Sequence, residues 1–266
     1  MLTVRSFFDL SDQPHPTLLQ PDDLVWQPLQ RLKSYMDDYC YPQFGAALSG
    51  SGIPLPAHVI LYEGRVLPAT EAQITYGDAT KGKLQIRVDG RLLEGASLLM
   101  AGATLLGERI DIGRGVLVES GAMIKSPAII GDFCEVRQGA YLRGYCLAAK
   151  RCVLGHATEI KHSIFLNDAK AGHFAYLGDS ILGSDTNLGA GTKFANLRFL
   201  PGTITIFHGG ERIDTTLRKL GAILGDTCQT GCNSVTSPGT LMAKGAILMP
   251  NATAKSGYHQ EKSVLK

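Results

Sequence analysis

From Met100 onward, aliphatic side chains recur at a fixed spacing of six. Met100, Leu106, Ile112, Val118, Ile124, Ile130, Val136 and Leu142 stand in strict register, and Ala148, Leu154 and Ile160 continue the series. If roughly one residue in four is aliphatic, one register produces the first eight by chance on the order of 10⁻⁵ of the time. Four residues after each aliphatic sits a mostly small residue: Thr104, Val116, Ala122, Ala128, Cys134, Ala140, Cys146, Cys152 and Thr158, with Ile110 the misfit. A period of six fits neither a helix nor a single strand. It is the mark of a parallel β-helix, in which three short strands make one triangular coil of about 18 residues and each aliphatic points into the prism. The coils stack at about 4.8 Å.

The register slips by one between Ile160 and Ala171, and shifts again before Leu182 and Leu188. Such slips mark loops that leave the prism, which are common places for function. The largest exit spans residues 197–221 and contains a hairpin, TITIFHGGERIDT, turning at Gly209-Gly210. Later coils run through Leu224, Met242 and Leu248.

The first 90 residues lack the period. Residues 1–20 read as an irregular lead-in. A helix is expected from about Pro28 to Tyr39, capped by Asp22 or Asp23 and anchored by Trp26, because Leu29, Leu32 and Met36 fall at helical spacing. A Gly/Pro-rich linker follows from Phe44 to Pro56. Two hairpins then turn at Glu63-Gly64 and Asp89-Gly90. No nucleotide-binding loop of the Gly-rich types occurs here. The chain thus divides into an N-terminal α+β appendage at 1–92, an all-β parallel β-helix at 93–255 and a polar tail at 256–266 that caps or frays. The appendage is placed to cover the open end of the prism.

Composition narrows the function classes. A net charge of +2 over 266 residues gives no global pull toward nucleic acid or membrane. No apolar run reaches the roughly 18 residues of a membrane helix, and the N-terminus lacks a signal-peptide core, so a cytoplasmic protein is expected. The six cysteines form no Cys-x-x-Cys pair. Cys134, Cys146, Cys152 and Cys228 occupy the small inward slots, while Cys232 lies outside them.

Candidate chemistry gathers between Lys161 and Asn196. His173 is the best general base, since a neutral imidazole takes a proton from an attacking amine or hydroxyl near pH 7. A surface histidine in a turn is an equal reading of its position. Arg137, Lys161 and Lys219 are cations able to receive a phosphate. Arg137, 36 residues before His173, is expected about two coils below it. His156, His162 and His173 together raise metal chemistry, but no carboxylate is placed to orient them and no metal is expected.

The phrases EVRQGAYLRG, GHATEIKHSIFLNDAKAGHFAYLGDSILG and TNLGAGTKFANLRF, followed by RKLGAILGDTCQTGCNS, span about residues 100–250. They resemble the left-handed β-helix acetyltransferase domain of the bifunctional glucosamine-1-phosphate acetyltransferase/N-acetylglucosamine-1-phosphate uridylyltransferases. The wording ANLRF…RKLGA…TGCNS resembles the archaeal-type sugar-1-phosphate nucleotidylyltransferase/acetyltransferases. The resemblance, not the period, implies the left hand of the coil. It implies N-acetyl transfer from acetyl-CoA to a hexosamine 1-phosphate, glucosamine or galactosamine, in nucleotide-sugar synthesis. It makes His173 the base that deprotonates the amine. Arg137, Lys161 and Lys219 hold the phosphate, Tyr176, Asn187 and Asn196 orient the sugar, and Ala190, Cys232 and Pro250 line the coenzyme A channel. It further implies a homotrimer with shared sites. The family's uridylyltransferase domain has no counterpart in residues 1–90, so uridyl transfer is not expected, and a separate uridylyltransferase partner is. Two other readings stand beside this one: a hexapeptide acyltransferase acting on a nucleotide-linked sugar, and a non-catalytic trimerising β-helix.

Overall fold

The computed structural model describes residues 2–44, 48 and 50–266. Part of the Phe44–Pro56 linker therefore lies outside the described residues. From residue 97 to 265 the chain winds as a β-solenoid of about nine turns, every coil paired in parallel with the next. Each turn visits three sheets in order. Face I takes strands such as Glu135–Val136, Val153–His156 and Lys170–His173. Face II takes Tyr141–Leu142, Glu159–Lys161 and Tyr176–Gly178. Face III takes Cys146–Ala148, Ser163–Phe165 and Ile181–Leu182. Val118, Val136, Leu154, Ala171 and Leu188 stack inside face I, while Ile124, Leu142, Ile160, Leu177 and Phe194 stack inside face II, all buried. The six-residue period is the physical record of this stacking.

The first coil departs from that period. Leu99 pairs with Val118 and Leu105 with Ile124, so these two leucines, not Met100 and Leu106, enter the prism. Leu106 is instead exposed and Met100 packs outside, against the N-terminal cap. The reason is one extra residue in the corner between Leu106 and Ile112, where the adjacent leucine pairs allow either register. The later slip has an equally local cause. Leu142 and Leu147 are five apart, but Ile160 and Ile164 are four apart, as are Leu177 and Ile181, and all pair in register. One residue is missing from the face II–III corner in two successive coils.

Corners are made with single left-handed residues. At the I–II corner these are Gly102, Gly121, Gly139, Ala157, Phe174, Gly191, Asn233 and Asn251, one per coil. One residue before the backbone enters that corner, Gly155 admits no side chain: a Cβ there would lie 2.1 Å from the carbonyl oxygen of Gly172.

The small slots hold as expected. Cys134, Cys146, Cys152 and Cys228 are buried with their thiols on backbone carbonyls, whereas Cys40 and Cys232 are exposed. Burial pushes Cys146 and Cys228 up to about 12. The solenoid also runs past residue 255. Gly257–His259 pairs with Thr240–Met242, and Val264–Leu265 with Ile247–Leu248, so the tail adds strands to two faces.

The N-terminal residues split into two covers. Val59–Tyr62 pairs antiparallel with Ser97–Leu99, and Ser51–Pro54 with Thr104–Leu106, which ends the stack at its first coil. Both hairpins turn where the sequence predicts. Residues 2–41 instead run along the outside of face III. There the middle residues of successive strands form an aliphatic stripe: Ile129, Leu147, Ile164, Ile181, Ile223 and Leu241. The helix Gln27–Asp37 lays Leu29, Leu32 and Met36 on this stripe, with Trp26, Phe7 and Phe8 beside them. Asp22 and Asp23 do not cap that helix. Its N-cap is Trp26, while Asp22 and Asp23 form ion pairs with Arg5 and Arg31. The lead-in also contains a short helix, Val4–Phe7.

Two outcomes are expected. Gly155→Ala will destabilise the fold by more than the 1 kcal/mol that is typical of point mutations, seen as a lowered urea midpoint, because backbone rather than a flexible side chain must yield. A thiol reagent at pH 8 will modify Cys40 and Cys232 and leave the other four unmodified until the protein unfolds.

Candidate active site

Backbone hydrogen bonds chain six residues of the I–II corner into one column. Ala157 donates to Gln138, Phe174 to His156, Gly191 to His173, Asn233 to Ala190 and Asn251 to Cys232. Thus His173, Ala190, Cys232 and Pro250 occupy the same position on four successive coils, and His156 and Gln138 occupy it on the two coils before. His173 is exposed, and no side chain among the described residues hydrogen-bonds its ring. His156 differs, since its Nδ1 lies 2.8 Å from the Gln138 carbonyl oxygen and its ring stacks edge-on against Phe174.

Arg137 belongs to the neighbouring column, with Gly155 and Gly172. Its Nη1 reaches to 3.9 Å from where a Cβ on Gly172 would sit, two coils along. The two-coil offset from His173 expected from sequence is therefore present, one residue out of line. Its Nε and Nη2 are held by Glu135 Oε2 at 2.9 and 2.8 Å.

The other cations lie elsewhere. Lys161 ends a face II strand at the II–III corner, and Lys219 reaches the same corner from the long insertion through a bridge between Leu197 and Lys219. Between them sits a polar knot. Asp179 is buried and takes His162 Nδ1 at 3.0 Å on one oxygen and Asn196 Nδ2 at 2.6 Å on the other. Burial pushes the Asp179 carboxyl up, but the hydrogen bonds from His162 and Asn196 more than offset it, and the net shift is downward. Tyr176 stands on face II over Gly178, near the Asn196 amide, and burial raises its phenol. The short corner places His162 and Asp179 at positive φ, so the missing residue in these coils is what aims their side chains at each other.

A cavity of about 850 Å³ opens over this corner. Lys161, Lys219, His162 and Asp179 line it, together with Arg143, Arg218 and Lys33, which sequence reasoning missed. Arg143 was legible. It stands 18 residues before Lys161, one coil, and its amide bonds to the Ile160 carbonyl directly below Lys161. Arg137, at the far corner, does not join this group. Asn187 is also apart, on the outer surface of face I next to Lys170. His162 is across face II from His156 and His173, so the three histidines do not converge.

One protomer therefore carries two half-sites on opposite edges of face II. The I–II edge bears His173 with Ala190, Cys232 and Pro250. The II–III edge bears the cation cavity with Asn196, and Tyr176 stands between. From His173 to Gly178 the chain spans at most about 16 Å.

At pH 7 Asp179→Asn is expected to cost about 1–3 kcal/mol, since an amide then faces the Asn196 amide. Because the folded carboxyl titrates below its usual 3.8, its contribution is complete above that value and is lost as pH falls through the lower folded value. The stability gap between wild type and Asp179→Asn, read by urea unfolding, will therefore close on acidification below about pH 4.

Among known proteins, the chain is 36% identical over 153 residues to a bifunctional sugar-1-phosphate nucleotidylyltransferase/acetyltransferase of Sulfurisphaera tokodaii, covering 51% of this chain and 38% of that one. It is 35% identical over 127 residues to the bifunctional protein GlmU of Methanococcus vannielii, covering 48% of this chain and 30% of that one. The match thus spans little more than a third of these relatives. No family model matches. A solved UDP-N-acetylglucosamine acyltransferase of Francisella novicida overlaps with a TM-score of 0.31 and 15% identity, covering 57% of this chain and 56% of that one, a likeness too loose to argue from. Over about half of its residues, the chain is a relative of the bifunctional sugar-1-phosphate nucleotidylyltransferase/acetyltransferases.

Proposed function

We propose that this chain is an acetyl-CoA-dependent N-acetyltransferase acting on the amine of a hexosamine 1-phosphate. The observation that carries the reading is the pair of half-sites flanking face II: an unencumbered histidine on one edge and a cation-lined cavity on the other. An amino-sugar phosphate has those two needs, a base for its ammonium and cations for its phosphate. The relatives named as sugar-1-phosphate nucleotidylyltransferase/acetyltransferases support the same class.

In this reading His173 takes a proton from the substrate ammonium. The nitrogen lone pair attacks the thioester carbonyl, the C–S bond breaks, and the thiolate leaves to be protonated. Products are the N-acetylamino sugar phosphate and free coenzyme A. The column Ala190–Cys232–Pro250 offers coenzyme A a track leading coil by coil to His173 at about 4.8 Å per step. Asn196 and Tyr176 orient the sugar. Asn187, on face I, serves a site completed by a neighbouring copy, and the separation of the half-sites on one protomer favours a homotrimer with sites between prisms. Arg137, ion-paired beside the His173 column, is the cation nearest the donor side.

A second acceptor, a nucleotide-linked amino sugar, is favoured by a cavity of about 600 Å³ between Tyr76–Asp78 of the N-terminal cap and Leu117, Glu119 and Arg137.

Free thiol released from acetyl-CoA is the test, with glucosamine 1-phosphate and galactosamine 1-phosphate as acceptors. Turnover with one of them, falling at least about a hundredfold in His173→Ala, is expected. No turnover with either, but turnover with a nucleotide-linked amino sugar, moves the assignment to the second acceptor. Full activity in His173→Ala removes the base.

A further inference from the structure

The helix Gln27–Asp37 does more than cover face III. Gln30, Lys33 and Asp37 fall at spacings of three and four and share one side of it, next to the buried stripe. The two outer members are pinned. Gln30 Nε2 donates to the Thr215 carbonyl and to Thr216 Oγ1, both at 3.0 Å, on the insertion that brings Arg218 and Lys219. Asp37 accepts from Arg109 at 2.5 Å and from the Tyr145 hydroxyl at 3.1 Å. Lys33, between them, has its ammonium 5.6 Å from the Tyr145 ring centroid and lines the cation cavity.

The charges around that cavity are unbalanced. Arg143 is neutralised by Glu159 at 2.6 Å, and both Asp179 oxygens are occupied by His162 and Asn196. Among the described residues, Lys33, Lys161, Arg218 and Lys219 form no salt bridge. Four uncompensated cations facing one concave surface repel one another, and a dianion between them relieves that repulsion. A phosphate monoester carries about −1.5 to −2 charge at pH 7.

We propose that the N-terminal helix is part of the anion site: Lys33 contacts the bound phosphate directly, opposite Lys161 and the insertion. The proposal rests on the reading that this cavity receives the acceptor's phosphate. It makes the N-terminal segment a specificity element rather than a cover alone. Gln30 is a positioning residue, which ties the helix to the loop carrying the opposing cations.

Calorimetry with inorganic phosphate on the full chain, at fixed ionic strength, tests this. Lys33 is exposed, so Lys33→Gln will fold with an unchanged melting temperature. Phosphate affinity is expected to fall about tenfold in Lys33→Gln and to recover in Lys33→Arg. In turnover, Lys33→Gln will raise KM for the sugar phosphate with kcat nearly unchanged, since a ground-state contact is lost. Equal phosphate affinity in wild type and Lys33→Gln overturns the proposal, as does a wild type that binds no phosphate at millimolar concentration. Phosphate binding that depends on Lys33 in a protein that acetylates no amino-sugar phosphate leaves the anion site standing and removes the acetyltransferase reading.

Discussion

Every feature of this molecule hangs on one constraint: each coil must place its backbone donors and acceptors directly over those of the coil before. In a parallel stack the hydrogen bonds run along the solenoid, so a residue's neighbours are set by coil length, 17 or 18 residues away, rather than by local sequence. That constraint requires one left-handed residue per corner and leaves no room for a Cβ at Gly155. It also turns distance along the chain into position. His173 and Pro250 are 77 residues apart, yet hold the same place on coils three steps apart.

The prism alone would be unfinished. Its first coil exposes unpaired strand edges, and face III exposes an aliphatic stripe of six residues. The cap of residues 51–92 meets the first need with antiparallel strands, and the strap of residues 2–41 meets the second with apolar burial. A stripe of this length left in water invites association. Because the strap's helix is fixed by Leu29, Leu32 and Met36, its polar side cannot turn away from the II–III corner. Packing on one face thus decides which charge is presented at the edge of the next.

The chemistry divides along the same lines. Stacking builds columns, and columns are good at lining up one kind of group, as with His156 and His173 or Arg143 and Lys161. They are poor at bringing together groups from two corners. Two devices work against that limit here. The shortened corner at His162 and Asp179 aims two side chains at each other, and the insertion delivers Lys219 to a corner its coil would otherwise pass by.

The six-residue period determined the architecture by itself, because inward positions of a prism admit only aliphatic and small residues, and Cys134, Cys146, Cys152 and Cys228 followed from the same rule. The hairpin turns at Glu63-Gly64, Asp89-Gly90 and Gly209-Gly210 were equally legible, since so few residues tolerate positive φ. The first coil was not, because adjacent leucines at 98–99 and 105–106 satisfy two registers, and only pairing with Val118 and Ile124 chooses one. Nor was the grouping of cations. Charged residues on a solenoid surface carry no periodic signal, so Arg137 and Arg143 look alike in sequence. The short corner, the strap across face III and the bridge at Lys219 together decided that Lys33, Arg143, Lys161 and Lys219 share a cavity while Arg137 stands with His173. That is a matter of contacts between segments over a hundred residues apart, which local pattern cannot encode.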